Sequence, residues 1–432
     1  MVNCIMAEAT DISKTVEWMW QLKPNSSSTD ELTTWNYYSD VENLIIEEGF
    51  SNKQQRAILD NCFIDFDNEI QVSNSDNQDQ RPVKRVVDNR KDKHVREARF
   101  MDLPVPSTGF FGGQYGFVSP FIIEVRKDLD LEDYQLPSRK PQTIPMLVEK
   151  AAHGIIAEGE RIGKQREAEK LANLLSEKKN SGRVEVWKRC AYLYSLESFL
   201  YKTLNAAMRL VGSQEDEEIW RSKIPTLGPF CLLLWDDPCN KRMKTNIELY
   251  RGANLESEQI EIYKGMATRN DKYGSFQGFS SCTRNRAKAE VFGNTLFIIQ
   301  VKYAFIADLS ALSEYPEEEV ELIMPGVCFR VVRVDFEYKK NQHLIYVELQ
   351  QSWSIKDKAH LETKLALEAS SGEFCGMFKD IHRPIYRLLA DDDQRQAHLD
   401  FDDFAYDDYD AGLHLKLDDR DYDRYGNHLS QQ

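Results

Sequence analysis

Residues 317–326 read Glu-Glu-Glu-Val-Glu-Leu-Ile-Met-Pro-Gly, an acidic run that passes directly into an apolar one. Two shorter motifs precede it: Tyr-Arg-Gly at 250–252, and Gly-Phe-Ser-Ser-Cys-Thr at 278–283. An arginine, a small hydroxyl residue and a carboxylate therefore follow in order. They are Arg251, Ser281 and Glu321, separated by 30 positions (281 − 251) and 40 positions (321 − 281). Each lies in or beside a short apolar stretch, which predicts that strands carry all three.

The surrounding sequence predicts an α+β protein. Residues 247–251, 295–301 and 329–336 have the length and composition of strands, and 286–292 those of a helix. Upstream, helical periodicity predicts a helical lobe over 145–245, before catalytic sheets over 246–350; its helices are expected at 146–156, 160–177 and 185–210.

Glu319 and Glu321 form the most informative pair. Since strand side chains alternate, both are predicted to lie on one face of the sheet. Two carboxylates side by side repel each other, which disfavours a purely structural role. A solvated acidic surface is the alternative interpretation of 317–321.

Together, these motifs resemble those of the Arg-Ser-Glu class of mono-ADP-ribosyltransferases, which split NAD at its nicotinamide bond and transfer ADP-ribose to a protein side chain. The resemblance implies a fold of two packed β-sheets with a preceding helical lobe, and NAD as co-substrate without a metal. It implies NAD-binding roles for Arg251, Gly252, Ser281 (with Ser280 as the fallback), Phe292 and Glu321. Cys282 and Thr283 depart from the family's threonine and serine. Arg251 argues against the His-Tyr-Glu class of poly-ADP-ribosylating enzymes.

The resemblance also implies a catalytic role for each motif. Arg251 and Ser281 would orient NAD, and Glu321 would stabilise the positive charge that develops on the ribose. Glu319 occupies the position at which family members receive an arginine guanidinium, and a carboxylate there can pair with the guanidinium and assist its deprotonation. Arginine is therefore the predicted target, with Tyr315 as a predicted contact with the target protein. An NAD glycohydrolase and a non-catalytic ADP-ribose reader remain the alternatives.

The first hundred residues predict a small antiparallel sheet with one helix. A helix is expected at 40–50, and strands at 63–66, 69–72 and 81–87. With Trp18 and Trp20 in its first strand, this pattern resembles a WWE domain over 15–99, a family that binds ADP-ribose and poly(ADP-ribose). By position, the residues implied to bind that ligand are Trp35, Tyr38, Gln71 and Arg81. A tyrosine common in the family is replaced by Cys62 or Phe63, so ligand binding stays open.

Two segments have little predicted structure of their own. Residues 100–144 are rich in proline and glycine, which indicates a loop-rich linker. Residues 351–432 are expected to form a helix at 353–370 followed by an acidic, disordered tail. Between 391 and 425 this tail has thirteen aspartates against four basic residues, a net charge of −9 (4 − 13).

The composition excludes several classes of function. The 432 residues have a formal net charge of −16, which disfavours general binding of nucleic acid. The eight cysteines include no Cys-x-x-Cys pair, so we expect reduced thiols and no metal site. No apolar run is long enough to span a membrane, and the first residues lack the features of a signal peptide. We therefore expect a cytoplasmic or nuclear protein with protein partners.

Overall fold

The computed structural model describes residues 15–22, 35–88, 119–211, 213, 215–238, 246–268, 274–304 and 306–350. The predictions for residues 89–118 and for the helix and acidic tail over 351–432 lie outside these ranges.

The N-terminal domain is a six-stranded antiparallel sheet that packs against one helix. Its hydrogen-bonded strand order is β2-β1-β6-β5-β4-β3. Helix α1 spans Asp40–Ser51 and begins with a capping box between Ser39 and Glu42. The strands are β1 (Thr15–Gln21), β2 (Trp35–Tyr37), β3 (Arg56–Ile58), β4 (Cys62–Asp65), β5 (Ile70–Ser73) and β6 (Gln80–Asp88).

Glu47 of α1 ties the helix to this sheet. Its carboxylate accepts a hydrogen bond from the Trp18 indole at 2.9 Å and two from Arg85, at 2.9 and 2.7 Å. Partial burial raises the pKa of Glu47, but the hydrogen bonds from Arg85 and Trp18 outweigh this and hold the pKa below its usual value. A lowered carboxylate pKa stabilises the fold above the unfolded-state pKa, and this contribution is lost as the pH falls through the lowered value.

Glu47→Gln is therefore expected to destabilise the protein by about 1–2 kcal/mol at pH 7, since hydrogen bonds to a charged group are replaced by neutral ones. Urea unfolding at pH 7 and pH 3 measures this. The difference between wild type and variant should shrink at the lower pH. An equal difference at both pH values would show that the charge of Glu47 contributes nothing.

The helical lobe contains a break that the sequence analysis did not predict. The helix expected at 185–210 is two helices, α5 (Arg183–Ser195) and α6 (Phe199–Arg209). Carboxylates from elsewhere accept the backbone N–H groups at this break. Glu197 donates to Asp40 Oδ2 at 2.7 Å, and Phe199 donates to Glu167 Oε1 at 2.9 Å. The remaining helices of the lobe are α2 (Pro120–Asp128), α3 (Ile144–Arg161), α4 (Gln165–Ser176), α7 (Glu217–Arg221) and α8 (Ile224–Trp235).

Helix α2 lies in the segment predicted as a loop-rich linker. Phe121, Ile122 and Val125 on this helix are fully buried in the lobe's core. The sequence analysis missed this helix because 100–144 is rich in proline and glycine and because the apolar residues of the helix occupy only one of its faces. Residues 119–144 form part of the lobe.

An eight-stranded sheet follows, where two packed sheets were expected. Its order is β11-β12-β9-β7-β10-β14-β13-β8, and β10 and β14 pair in parallel. The ladder has two parts that meet at one residue pair, Tyr250 of β7 and Thr283 of β9. The strands are β7 (Ile247–Ala253), β8 (Gly274–Ser275), β9 (Ser280–Thr283), β10 (Thr295–Tyr303), β11 (Ile306–Asp308), β12 (Val320–Ile323), β13 (Cys328–Glu337) and β14 (Gln342–Gln350); helices α9 (Ser257–Ala267) and α10 (Arg286–Glu290) connect them.

Candidate active site

Arg251 and the strand that carries Ser281 are in direct contact. Arg251 lies on β7, and its side chain is buried at 2% exposure. Its guanidinium Nη1 donates a hydrogen bond to the backbone carbonyl of Ser281 at 2.6 Å. The first two motifs of the sequence therefore meet at the junction between β7 and β9.

Gly252 follows Arg251 where α10 packs closely on β7. A Cβ atom at this position would lie 2.5 Å from the Ala289 carbonyl oxygen and 2.6 Å from Cβ and the carbonyl oxygen of Phe292. Phe292, which the resemblance implied as an NAD contact, is itself buried. The glycine thus has a packing role, whether or not NAD also approaches it.

Gly252→Ala is expected to destabilise the protein by about 1–3 kcal/mol, because two of the obstructing atoms belong to the backbone. The matched control is Gly265→Ala in α9, where nothing lies within 4 Å of the added Cβ. That change removes a glycine from a helix interior and should stabilise by about 0.5–1 kcal/mol. Thermal unfolding of both variants gives the comparison, and equal effects would contradict the packing role of Gly252.

The pairing of β9 with β12 determines which serine shares a face with Glu321. Glu321 lies opposite Cys282, whereas Ser281 lies opposite Leu322. Directly opposed residues project to the same face, and neighbours along a strand alternate. The hydroxyl on the Glu321 face is therefore that of Ser280, the fallback of the sequence analysis, and Ser281 projects to the other face.

The pKa of the Cys282 thiol depends on burial and on the charged groups around it. Burial raises the pKa of its thiol to about 12, against the lowering effect of the Arg251 charge and with a further rise from Glu321. Arg251, Cys282 and Glu321 are thus neighbours. The thiol stays protonated at neutral pH, so it is not a nucleophile here.

Glu319 does not lie in the strand with Glu321. It has a left-handed conformation, with φ 50° and ψ 47°, at the end of the 3-10 turn Pro316–Glu318, and β12 begins one residue later. The predicted alternation of Glu319 and Glu321 on one strand face is therefore wrong, because this turn interrupts the extended backbone. Thr283 Oγ1 holds the turn by donating to the Glu318 carbonyl at 2.7 Å.

The Glu319 carboxylate is available to a ligand. The residue is half-buried, whereas its neighbours Glu318 and Val320 are buried. Within the part of the chain that the structure describes, the Glu319 side chain takes part in no hydrogen bond or ion pair. A cation that approached this turn would find an unneutralised carboxylate.

Glu321 has a cationic partner that the sequence analysis missed. Arg284 Nε donates to Glu321 Oε1 at 2.8 Å, and Arg284 Nη2 contacts both Glu321 and Asp308 of β11. Glu321 is fully buried, whereas the side chains of Arg284 and Asp308 are 39% and 40% exposed. No motif marks Arg284; its position two residues after Cys282, on the face of Glu321, was the available signal.

Tyr315, predicted to contact a target protein, is buried in this structure. Its hydroxyl donates to the Asp40 carboxylate of the N-terminal domain. Its role in target recognition stays a prediction, since direct contact with a target would require this hydrogen bond to open.

Of the four residues predicted to bind ADP-ribose, Gln71 and Arg81 lie on the neighbouring strands β5 and β6, whereas Trp35 begins β2 and Tyr38 directly follows it. The Tyr38 hydroxyl donates to Gln71 Oε1 at 2.7 Å, and Gln71 pairs with Arg81 across β5 and β6. The Arg81 guanidinium contacts Asp79 at 3.1 Å and lies 4.8 Å from the centre of the Trp20 ring. Lys84 lies over the Trp35 ring at 4.1 Å. Ligand binding at this surface stays a prediction.

Three further properties concern only the described ranges. There, no group of three or more histidine, cysteine, aspartate or glutamate residues could hold a metal ion. None of the helices in those ranges is long and apolar enough to cross a membrane. The five cysteines seen there, at 62, 190, 231, 282 and 328, are free and buried.

Comparison with known proteins identifies relatives of one segment. Residues 189–354 match the family described as "ART: NAD:arginine ADP-ribosyltransferase". No curated protein matches the chain. Among solved structures, ADP-ribosyltransferase HopU1 of Pseudomonas syringae pv. Tomato DC3000 is 17% identical, with a TM-score of 0.34 over 42% of this chain and 87% of its own. Exoenzyme S from Pseudomonas aeruginosa, solved with human 14-3-3 protein beta and carba-NAD, is 15% identical, with a TM-score of 0.31 over 46% and 88%.

Proposed function

The chain carries an ADP-ribosyltransferase-family segment over residues 189–354, and we propose that it transfers single ADP-ribose units from NAD to arginine side chains of proteins, with release of nicotinamide. The observation that carries the arginine specificity is Glu319. This half-buried carboxylate lies beside the sheet face that carries Arg251, Ser280 and Glu321, the Arg251–Glu321 face. The Glu319 side chain has no partner among the described residues. A guanidinium is the cation that pairs best with such a carboxylate, because its planar donors match the two oxygens.

Each residue of this face has a separate role in the proposed reaction. Arg251 binds and orients the NAD phosphates and ribose through its fork of donors. Glu321 stabilises the positive charge on the ribose as the bond to nicotinamide breaks, and Ser280 supplies the hydroxyl on the same face. Nicotinamide leaves with the bonding electron pair, an arginine nitrogen forms the new bond to the ribose carbon, and the displaced proton passes to Glu319.

The proposed partners follow from these roles. Target proteins would present an arginine to Glu319. ADP-ribose units would bind to the N-terminal domain through Trp35, Tyr38, Gln71 and Arg81. An NAD glycohydrolase would use the same Arg251–Glu321 face with water as the acceptor, but it would have no need of the Glu319 carboxylate.

Glu319→Gln separates the two activities. We expect transfer of ADP-ribose from NAD to agmatine, a free guanidine, to fall about 100-fold or more, since the general base is lost. Nicotinamide release in the absence of agmatine should change little, because the Arg251–Glu321 face is intact. Glu317→Gln, an exposed change two residues away, is the control and should leave both rates unchanged. Equal loss of transfer and hydrolysis in Glu319→Gln would overturn the assignment of Glu319 as the acceptor residue.

A further inference from the structure

The N-terminal domain reaches the loop that ends in Glu319. Asp40, the first residue of α1, accepts hydrogen bonds from two different parts of the transferase region. One comes from the Tyr315 hydroxyl and the other, at 2.7 Å, from the backbone N–H of Glu197 in the break between α5 and α6. A single carboxylate therefore joins the domain, the helical lobe and the loop before β12.

Two backbone hydrogen bonds within the loop link the position of Tyr315 to that of Glu319. The backbone carbonyl of Tyr315 accepts from the Glu318 N–H at 3.1 Å, and the Glu319 N–H donates to the Pro316 carbonyl at 3.1 Å. One residue before Tyr315, Glu314 accepts from the Tyr192 hydroxyl at 2.7 Å. Tyr315 is thus the base of the compact turn that places the Glu319 carboxylate.

Asp40 is held firmly enough to act as a fixed point. The next residue, Val41, is fully buried in the hydrophobic core shared with the helical lobe. The capping box of Ser39 and Glu42 fixes the start of α1 on either side of Asp40. A rigid helix start, unlike a surface loop, can hold a partner side chain in one place.

We propose that Asp40 of the N-terminal domain is a positioning residue for the transfer reaction, which holds the Glu319 carboxylate in place through Tyr315. The proposal rests on the proposed function of Glu319 as the acceptor carboxylate. The N-terminal domain thereby contributes to the choice between a guanidinium and water as the acceptor of ADP-ribose. Without the Asp40–Tyr315 hydrogen bond, the turn at Pro316–Glu318 loosens and water competes with the guanidinium for the ribose.

The interface supplies a matched control. Asp60 of the same domain caps α4 of the lobe, where it accepts from the backbone N–H groups of Arg166 at 2.7 Å and Glu167 at 3.3 Å. It contributes to the same domain contact with the same kind of acceptor, and among the described residues its side chain makes no hydrogen bond or ion pair with the loop at 309–319. Asp60→Asn therefore weakens the interface without touching Tyr315.

The test uses the full chain with NAD and agmatine, and measures the ratio of ADP-ribosylagmatine to free ADP-ribose together with total nicotinamide. The ratio should fall about fivefold or more in both variants, because Tyr315→Phe removes the hydrogen bond to the Asp40 charge, and Asp40→Asn replaces it by a weaker neutral one for which the Glu197 N–H competes. Total nicotinamide should stay close to wild type. The double variant should be no worse than the poorer single variant, because both changes act on the Asp40–Tyr315 hydrogen bond. Asp60→Asn should leave the ratio unchanged.

A second measurement does not depend on activity. Amide hydrogen exchange at 313–319 should speed up in Asp40→Asn and Tyr315→Phe but not in Asp60→Asn. An unchanged product ratio in Asp40→Asn and Tyr315→Phe, or a parallel fall of transfer and nicotinamide release, overturns the positioning role. Absence of any transfer by wild type overturns the proposed function, and with it the catalytic consequence. In that case the exchange data still decide whether Asp40 holds the loop.

Discussion

Glu321→Gln is expected to lower nicotinamide release from NAD by about 100- to 1,000-fold, the loss typical when one preorganised electrostatic group is removed from a transition state. The amide has nearly the same shape as the carboxylate, and its oxygen can still accept the 2.8 Å hydrogen bond from Arg284 Nε. The variant should therefore fold and bind NAD, and the loss should appear in kcat. Steady-state kinetics of nicotinamide release measure it.

The control for Glu321 is Asp308→Asn. Asp308 is the second carboxylate that contacts Arg284, but its side chain is 40% exposed and lies on the edge strand β11. Its replacement removes a negative charge from the same cluster and leaves Glu321 in place. We expect nicotinamide release within about threefold of wild type, since exposed ion pairs contribute little. If Asp308→Asn and Glu321→Gln lowered the rate equally, the rate would depend on the total negative charge of the cluster. A specific role of Glu321 at the ribose would then be contradicted.

Arg284→Gln is expected to cost about 2–3 kcal/mol of stability at pH 7. Breaking a buried ion pair from one side commonly costs more than this, because the remaining buried charge loses its counter-charge. Glu321 is fully buried, but the 39% exposure of the Arg284 side chain allows water to replace part of what is lost. Urea unfolding gives the change in free energy, provided that the slope of the transition is unchanged.

Arg286→Gln, two residues further on, is the matched control for Arg284. Arg286 forms an exposed i,i+4 pair with Glu290 at 2.8 Å in α10, and its loss should cost about 0.5 kcal/mol or less. In the double variant Arg284→Gln/Glu321→Gln, part of the stability should return, because the buried Glu321 charge is then removed together with its cationic partner Arg284. A double variant as unstable as the sum of its single changes would show that Arg284 stabilises the fold without acting through Glu321.

Strand and helix periodicity made much of this fold predictable. The strand around Arg251, the strands at 295–301 and 329–336 and the N-terminal strands expected at 63–66, 69–72 and 81–87 all lie where apolar alternation indicated, with ends shifted by at most two residues. Strand β3 (Arg56–Ile58) was not predicted. These elements were accessible because burial of one face leaves a local signature in the sequence. The match of residues 189–354 supports the ADP-ribosyltransferase resemblance for that segment, whereas the arginine target and the roles of the three motifs stay predictions.

Features that depend on distant partners were not predictable. The break between α5 and α6 depends on Asp40 and Glu167, whose carboxylates accept its free N–H groups from outside the helix. Which serine shares the face of Glu321 depends on the register of β9 and β12, and a shift by one residue would exchange Ser280 for Ser281. The left-handed turn at Glu319 likewise interrupts an alternation that local sequence favours.

The most direct test of the proposed activity counts products from one reaction. Full-length wild-type protein is incubated with NAD labelled in its ADP-ribose and with agmatine in excess, and nicotinamide and labelled agmatine are measured side by side. We expect nicotinamide release well above the Glu321→Gln background, with close to one labelled agmatine formed per nicotinamide. Nicotinamide without labelled agmatine would instead indicate an NAD glycohydrolase, and no nicotinamide above that background would contradict an active transferase altogether.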